Sequence, residues 1–122
     1  MGFPTIAVKA TNVTLTPGLQ ALIDQKLSVL GKFVPDSATD ATCKVEVEKL
    51  TEHHSGKIHR VEINLFMFGR TYHTEATEEQ VEKAIDEARD ELKQELQSAE
   101  GKRQSLIRRG GQAIKKMMRF GG

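Results

Sequence analysis

Two runs of strict alternation constrain this chain more than any other feature. Cys43, Val45 and Val47 alternate with Lys44, Glu46 and Glu48, and Val61, Ile63, Leu65 and Met67 alternate with Arg60, Glu62, Asn64, Phe66 and Phe68. A period of two puts each apolar set on one face of an extended strand. The polar stretch Glu52-His53-His54-Ser55-Gly56-Lys57 separates the runs and reads as a hairpin loop. Residues 5–10 alternate as well, with Ile6, Val8 and Ala10 on one side. After a tight reversal at Gly69-Arg70, residues 72–76 read as a short fourth strand. Strands joined by connections this short are expected to pair antiparallel. The resulting sheet has one apolar face, which needs a cover.

Two helical stretches supply it. Thr16 is placed to cap the first, and Pro17 suits its first position, where a missing N–H costs nothing. Leu19, Leu22, Ile23, Leu27, Leu30 and Phe33 then line one helical face, and Pro35 ends the run. The second helix is expected to begin near Thr77, where Thr77-Glu78-Glu79-Gln80 resembles a capping box. Val81, Ala84, Ile85, Ala88, Leu92, Leu96 and Ala99 form its apolar face, and Gly101 reads as its C-terminal stop. The order is β-α-β-β-β-α. The predicted fold is α+β, with two helices packed on one face of a four-stranded sheet and the other face left to solvent or a partner.

With 122 residues the chain has room for one small domain, residues 1–100, and an appendage, residues 101–122. No apolar run approaches the roughly 20 residues of a membrane span, so no membrane association is expected. The first ten residues lack a basic stretch followed by an apolar one, so no secretory leader is expected either. A single cysteine excludes an internal disulfide and fits a reducing, cytoplasmic setting.

The net charge of +1 hides an asymmetry. Residues 1–100 carry 11 Lys+Arg against all 17 Asp+Glu, a balance of −6. Residues 101–122 carry Lys102, Arg103, Arg108, Arg109, Lys115, Lys116 and Arg119 and no acid, a balance of +7. An acidic body with a basic tail points to a polyanionic partner for the tail. The tail's apolar residues Ala113, Ile114, Met117 and Met118 suit two turns of amphipathic helix, too short to be stable alone, so a flexible tail is expected.

Little in the sequence suggests catalysis. His53, His54, His59 and His73 match no common metal-ligand spacing, and no cysteine pair supports them. Cys43 falls on the inward face of a strand and reads as a small core residue. No Ser-His-Asp set is legible, and Gly110-Gly111 lacks the context of a phosphate loop. The carboxylates of the second helix fall mostly on its polar face. The chain is therefore expected to be no enzyme, with no cofactor, no metal and no small-molecule substrate.

Cations favour nucleic acid instead. Lys26 and Lys32 lie on the polar side or end of the first helix, and Arg89 and Lys93 share one face of the second. Lys57, Arg60 and Arg70 fall near strand ends and hairpins. With Lys102, Arg103, Arg108 and Arg109 of the tail, these are the candidate RNA-binding residues. Phe66 and Phe68 on the outward strand face could stack on bases, or cover an edge of the sheet beneath the tail or a partner.

The run Ala10-Thr11-Asn12-Val13-Thr14-Leu15-Thr16-Pro17-Gly18-Leu19 resembles the opening of ribosome hibernation-promoting factors and ribosome-associated inhibitor proteins. Lys26-Leu27, Leu30-Gly31-Lys32-Phe33, Val45-Glu46-Val47-Glu48-Lys49, Gly69, Glu75-Ala76, Ala84-Ile85-Asp86 and Leu92 to Leu96 extend the similarity over roughly residues 4–100. The resemblance implies the same β-α-β-β-β-α fold, similar to double-stranded RNA-binding domains. It also implies a cytoplasmic, non-enzymatic factor. Such a factor lodges on the small ribosomal subunit and its rRNA, in the channel of mRNA and the A- and P-site tRNAs, and blocks initiation in idle ribosomes. Homo-oligomerisation is not expected. Lys26, Lys32, Lys93 and Arg89 are the positions that carry over as RNA contacts.

Two departures stand out. The family's second helix is usually basic, whereas here Glu82, Glu91 and Gln94 take the places of a Tyr, a Lys and an Arg. In place of the separate C-terminal domain of long members stands a short basic extension, which is suited to restore the missing charge. Two other readings stay open: a shape-specific module for structured RNA, and a protein-interaction adaptor using the open sheet face with Phe66 and Phe68.

Overall fold

A computed structural model describes residues 2–51 and 56–108, the stretch 103–108 by its helical backbone alone. Strand β1 (Ile6–Thr11) leads into helix α1 (Pro17–Ser28), which tightens into a 3-10 turn at Val29–Phe33. Strands β2 (Thr42–Lys49), β3 (His59–Met67) and β4 (Arg70–Glu78) follow, and helix α2 (Val81–Arg108) closes the domain. The sheet order is β1-β2-β3-β4. β2, β3 and β4 pair antiparallel as expected, while β1 runs parallel to β2 because α1 carries the chain back across the sheet.

The register aligns the alternating residues. Val8, Val45, Ile63 and Thr74 form one row across all four strands. Val45, Val47, Val61, Ile63 and Leu65 are buried on the inner face beneath Ile23, Leu27 and Leu30 from the α1 side and Ala84, Ile85, Ala88, Leu92 and Leu96 from α2. Each large apolar side chain so buried contributes about 1.5–3 kcal/mol relative to exposure. Thr74 is the polar member of the row, and its Oγ1 donates to the Ala88 carbonyl at 2.9 Å, joining β4 to α2.

The β3–β4 turn is tied from outside the hairpin. Phe68 (φ 54°) and Gly69 (φ 72°) both adopt left-handed backbone, as a two-residue hairpin turn demands. Their N–H groups donate to Asp40 Oδ1 and Oδ2, each at 3.0 Å. In the 3-10 turn, Gly31 lies so close to Gly2 and Phe3 that an added Cβ would sit 3.0 Å from the Phe3 nitrogen. The N-terminal segment thus rests on the 3-10 turn.

Several sequence expectations need correction. β4 extends over nine residues rather than 72–76, because it pairs along the whole of β3, from Met67↔Arg70 to His59↔Glu78. Thr77 and Glu78 consequently stay in the strand, and α2 starts only at Val81. Nor does Gly101 stop α2, which continues to Arg108. One helical glycine costs about 1 kcal/mol, and the flanking Glu, Lys, Arg, Gln and Leu residues are good helix formers. Loop residues 52–55, with His53 and His54, and the tail 109–122 lie outside the described residues. Among the described residues no helix is long and apolar enough to cross a membrane.

Candidate nucleic-acid interface

The helix layer positions most of the cations. Thr16 Oγ1 accepts from Leu19 N at 3.1 Å and so fixes the start of α1. With that start, Ile23 and Leu27 face the sheet and Lys26 falls on the flank toward α2. Lys26 Nζ lies 2.9 Å from Asp86 Oδ1 and 3.9 Å from Glu82 Oε2. Arg89 Nη1 approaches the same Asp86 oxygen at 3.4 Å, and its Nη2 pairs with Asp90 at 2.9 Å. The structure therefore brings Lys26 and Arg89 together, on a shared carboxylate. Lys93 follows one turn after Arg89 and is half-buried. Lys32 is exposed on the 3-10 turn that prolongs α1, with its ammonium 5.3 Å from the centre of the Phe33 ring. Neither Lys32 nor Lys93 is ion-paired to a described residue.

The remaining candidates are dispersed. Lys57 lies 4.0 Å from Glu78 Oε2, and Lys83, a cation that the sequence reading passed over, lies 3.4 Å from Oε1. The Glu78 carboxylate is held below its usual range chiefly by a hydrogen bond with Glu87, with help from Lys83 and Lys57, while the Glu87 carboxyl is pushed up by the same bond. Arg70 is exposed at the β3–β4 turn, its guanidinium 4.4 Å from the centre of the Tyr72 ring. Lys102 is exposed on the last part of α2. Arg103 and Arg108 lie in the same helix, and Arg109 lies outside the described residues.

Arg60 belongs to a different place. It sits on the open face of the sheet, where its guanidinium meets Glu62 at 2.7 Å, Glu48 at 3.7 Å, Glu46 at 3.9 Å, and Glu75. Burial opposes its charge, yet the hydrogen bonds to Glu62 and Glu75 outweigh burial and raise its pKa. The Arg60 hydrogen bond in turn holds Glu62 below the usual carboxylate range. Cross-strand pairing of Glu46 with Glu62 and Glu62 with Glu75 creates this group. Arg60 serves to neutralise the carboxylates and is not grouped with the helix-layer cations.

The open face otherwise offers Lys9 and Lys44, which alternation had already placed there, and a 39% exposed Phe66. Glu62, His73 and Glu75 come close enough to share a cation. Arg60 already occupies both of those carboxylates, and His73 Nδ1 bonds Asn64 Oδ1 at 2.7 Å. Cys43 is buried in the core, and burial pushes its thiol up to about 12, so it remains protonated and unreactive near neutral pH.

The fold has counterparts among solved structures. The Thermus thermophilus Protein Y N-terminal domain is 21% identical, with a TM-score of 0.60 over 77% of this chain and 94% of that one. A ribosomal subunit interface protein from Coxiella burnetii is 18% identical, with a TM-score of 0.61 over 79% of this chain and 97% of that one. Comparison with curated protein sequences returns no match. Residues 6–104 match the family described as Sigma 54 modulation protein / S30EA ribosomal protein. That match spans the whole sheet and α2 through Gln104, so the chain belongs to the Sigma 54 modulation protein / S30EA ribosomal protein family of ribosome-associated factors.

Proposed function

We propose that this protein binds the small ribosomal subunit in the cytoplasm and acts as a hibernation factor, occupying the mRNA and A- and P-site tRNA channel and blocking initiation in idle ribosomes. The observation that carries this reading is the family match over residues 6–104. The placement of the cations is consistent with it. Lys32 and Lys93 make no ion pair with a described residue of the helix layer, and Lys26 and Arg89 share Asp86. The mechanism is occlusion, and no chemical step is involved. Affinity derives from phosphate neutralisation, and log affinity then falls against log salt with a slope of about −0.7 to −0.9 per phosphate contacted. The acids of α2 reduce that number, and the basic tail adds to it.

Co-sedimentation with isolated small subunits at low and moderate salt tests the proposal. Stoichiometric, salt-sensitive binding that duplex RNA does not reproduce is expected. Equal binding to duplex RNA favours a general structured-RNA module instead, and absence of binding at low salt overturns the reading.

A further inference from the structure

The register divides the open face of the sheet into two unlike halves. Thr11, Glu48, Arg60 and Thr77 form one row across the strands, and Lys9, Glu46, Glu62 and Glu75 form the next. All the carboxylates that the strands place on this face lie in these two rows, where Arg60 and Lys9 offset them. The two rows nearer the β3–β4 turn have none. Ala7, Lys44, Asn64 and His73 form one, and Thr42, Phe66 and Thr71 the other. Asp40, which precedes β2, has both carboxylate oxygens engaged by the N–H groups of Phe68 and Gly69.

The carboxylate-free half has the parts of a site for one nucleotide. Phe66 stands on a central strand and is 39% exposed. Its cross-strand neighbours Thr42 and Thr71 are small and exposed, which leaves the ring accessible. An open recess of about 340 Å³ is lined here by Thr42, Lys44, Asn64, Phe66 and Thr71, within the size range of ligand clefts. Lys44 is exposed and makes no ion pair with a described residue. It is the diagonal neighbour of Phe66, about 7–8 Å away across the β2–β3 pair. A phosphate on its ammonium can therefore belong to the nucleotide whose base covers the ring. Every base has a π-face, so a bare aromatic beside a free lysine suits a single strand, whose bases are not already paired. The hydroxyls of Thr42 and Thr71 can meet a base edge or a ribose 2′-OH, which favours RNA. An apolar protein surface would instead bury the Lys44 charge without an anion, at a high cost.

We propose that the half of the open face nearer the β3–β4 turn binds single-stranded RNA, with an unpaired base stacked on Phe66 and its phosphate on Lys44. The site lies on the other side of the sheet from the helix-layer cations, so one molecule can hold two RNA segments at once. Binding here needs no ribosome and is a property of the free protein.

The chain contains no tryptophan, so Phe66→Trp keeps an aromatic platform and makes it a single reporter. The probe is hexa-adenylate RNA, titrated into the full-length protein at low salt. Emission is expected to fall to a plateau, because a base stacked on the indole quenches it. An abasic ribose-phosphate hexamer of equal charge should leave emission unchanged, even where it binds other cations of the chain. Adding Lys44→Gln should weaken the quenching about five- to tenfold at about 50 mM salt and reduce the magnitude of the salt slope by about 0.7, the share of one phosphate on a single strand. Adding Lys32→Gln and Lys93→Gln should not shift the curve. Absence of quenching, equal quenching by the abasic hexamer, or a curve that Lys44→Gln does not move overturns the site. Emission that is blue-shifted in the free protein and reddens on dilution overturns it in favour of a second copy on this face. Emission that ignores hexa-adenylate but shifts blue with ribosomal protein stripped of RNA overturns it in favour of a protein partner. Sedimentation of the same variant with small subunits separates this site from the ribosome reading. Quenching without sedimentation removes only the ribosome reading, and sedimentation without quenching removes only this site.

Discussion

Lys26 of α1 and Arg89 of α2 meet on one oxygen, Asp86 Oδ1, at 2.9 and 3.4 Å. The carboxylate lets two cations from different helices lie side by side. Asp86→Asn removes the anion they share, leaving Lys26 with Glu82 at 3.9 Å and Arg89 with Asp90 at 2.9 Å, and the three side chains are only 22–35% exposed. The expected loss is about 1 kcal/mol of stability, read as a lower urea midpoint with an unchanged m-value. Lys26→Met with Asp86→Asn should recover part of it, because the repulsion is gone.

Asp40 gives the fold a pH dependence of defined sign. The N–H groups of Phe68 and Gly69 lower its pKa in the folded state, Phe68 making the larger contribution. A depressed carboxylate pKa contributes stability above the unfolded value, and that contribution is lost as pH falls through the folded value. Thermal melts of the wild type and Asp40→Asn should differ at neutral pH, begin to converge as pH falls through the ordinary carboxylate value of about 4, and coincide only below the depressed folded value. A gap that persists in acid would show that the carboxylate charge is not what holds the turn.

Thr74→Val tests the tie between sheet and helix. The substitution keeps the shape and removes the donor to the Ala88 carbonyl, 1% exposed on the strand side. A loss of about 0.5–1.5 kcal/mol in chemical denaturation is expected, the net worth of one hydrogen bond. Thr74→Ala should cost more, since it also opens a void.

Glycine-to-alanine exchange should have opposite signs at two positions. Gly69 has φ 72° and no heavy atom within 4 Å of an added Cβ, so Gly69→Ala carries a purely conformational cost of about 1–2 kcal/mol. Gly101 is helical with equally open space, so Gly101→Ala should raise helicity by circular dichroism, with a gain of about 0.5–1 kcal/mol in local helix stability.

Lys32→Gln and Lys93→Gln should each weaken small-subunit binding and reduce the magnitude of the salt slope by about 1. Arg60→Gln should leave that slope nearly unchanged, because its charge is absorbed by four carboxylates. It should instead destabilise the fold by leaving those carboxylates to repel one another.

Alternation over 43–48 and 60–68 and the apolar steps at 19–33 and 81–99 dictated the elements, the buried faces and the one-sided cover, because burial responds to local period. The same patterns could not place element ends where another element decides them. β4 lengthened to satisfy the backbone of β3, which displaced the start of α2. Gly101 stayed helical because one unfavourable residue is outweighed by its neighbours.

The candidate site was legible as a set of cations, without its grouping. Lys26 and Arg89 are far apart in sequence and share Asp86 only because α1 packs beside α2. Arg60 looked like any other cation near a strand end, and only cross-strand register surrounded it with Glu46, Glu48, Glu62 and Glu75. Residue periodicity is a property of the local chain and can be read directly. The partner of a charge depends on which residues the fold brings within about 4 Å, and that distance is decided by tertiary packing.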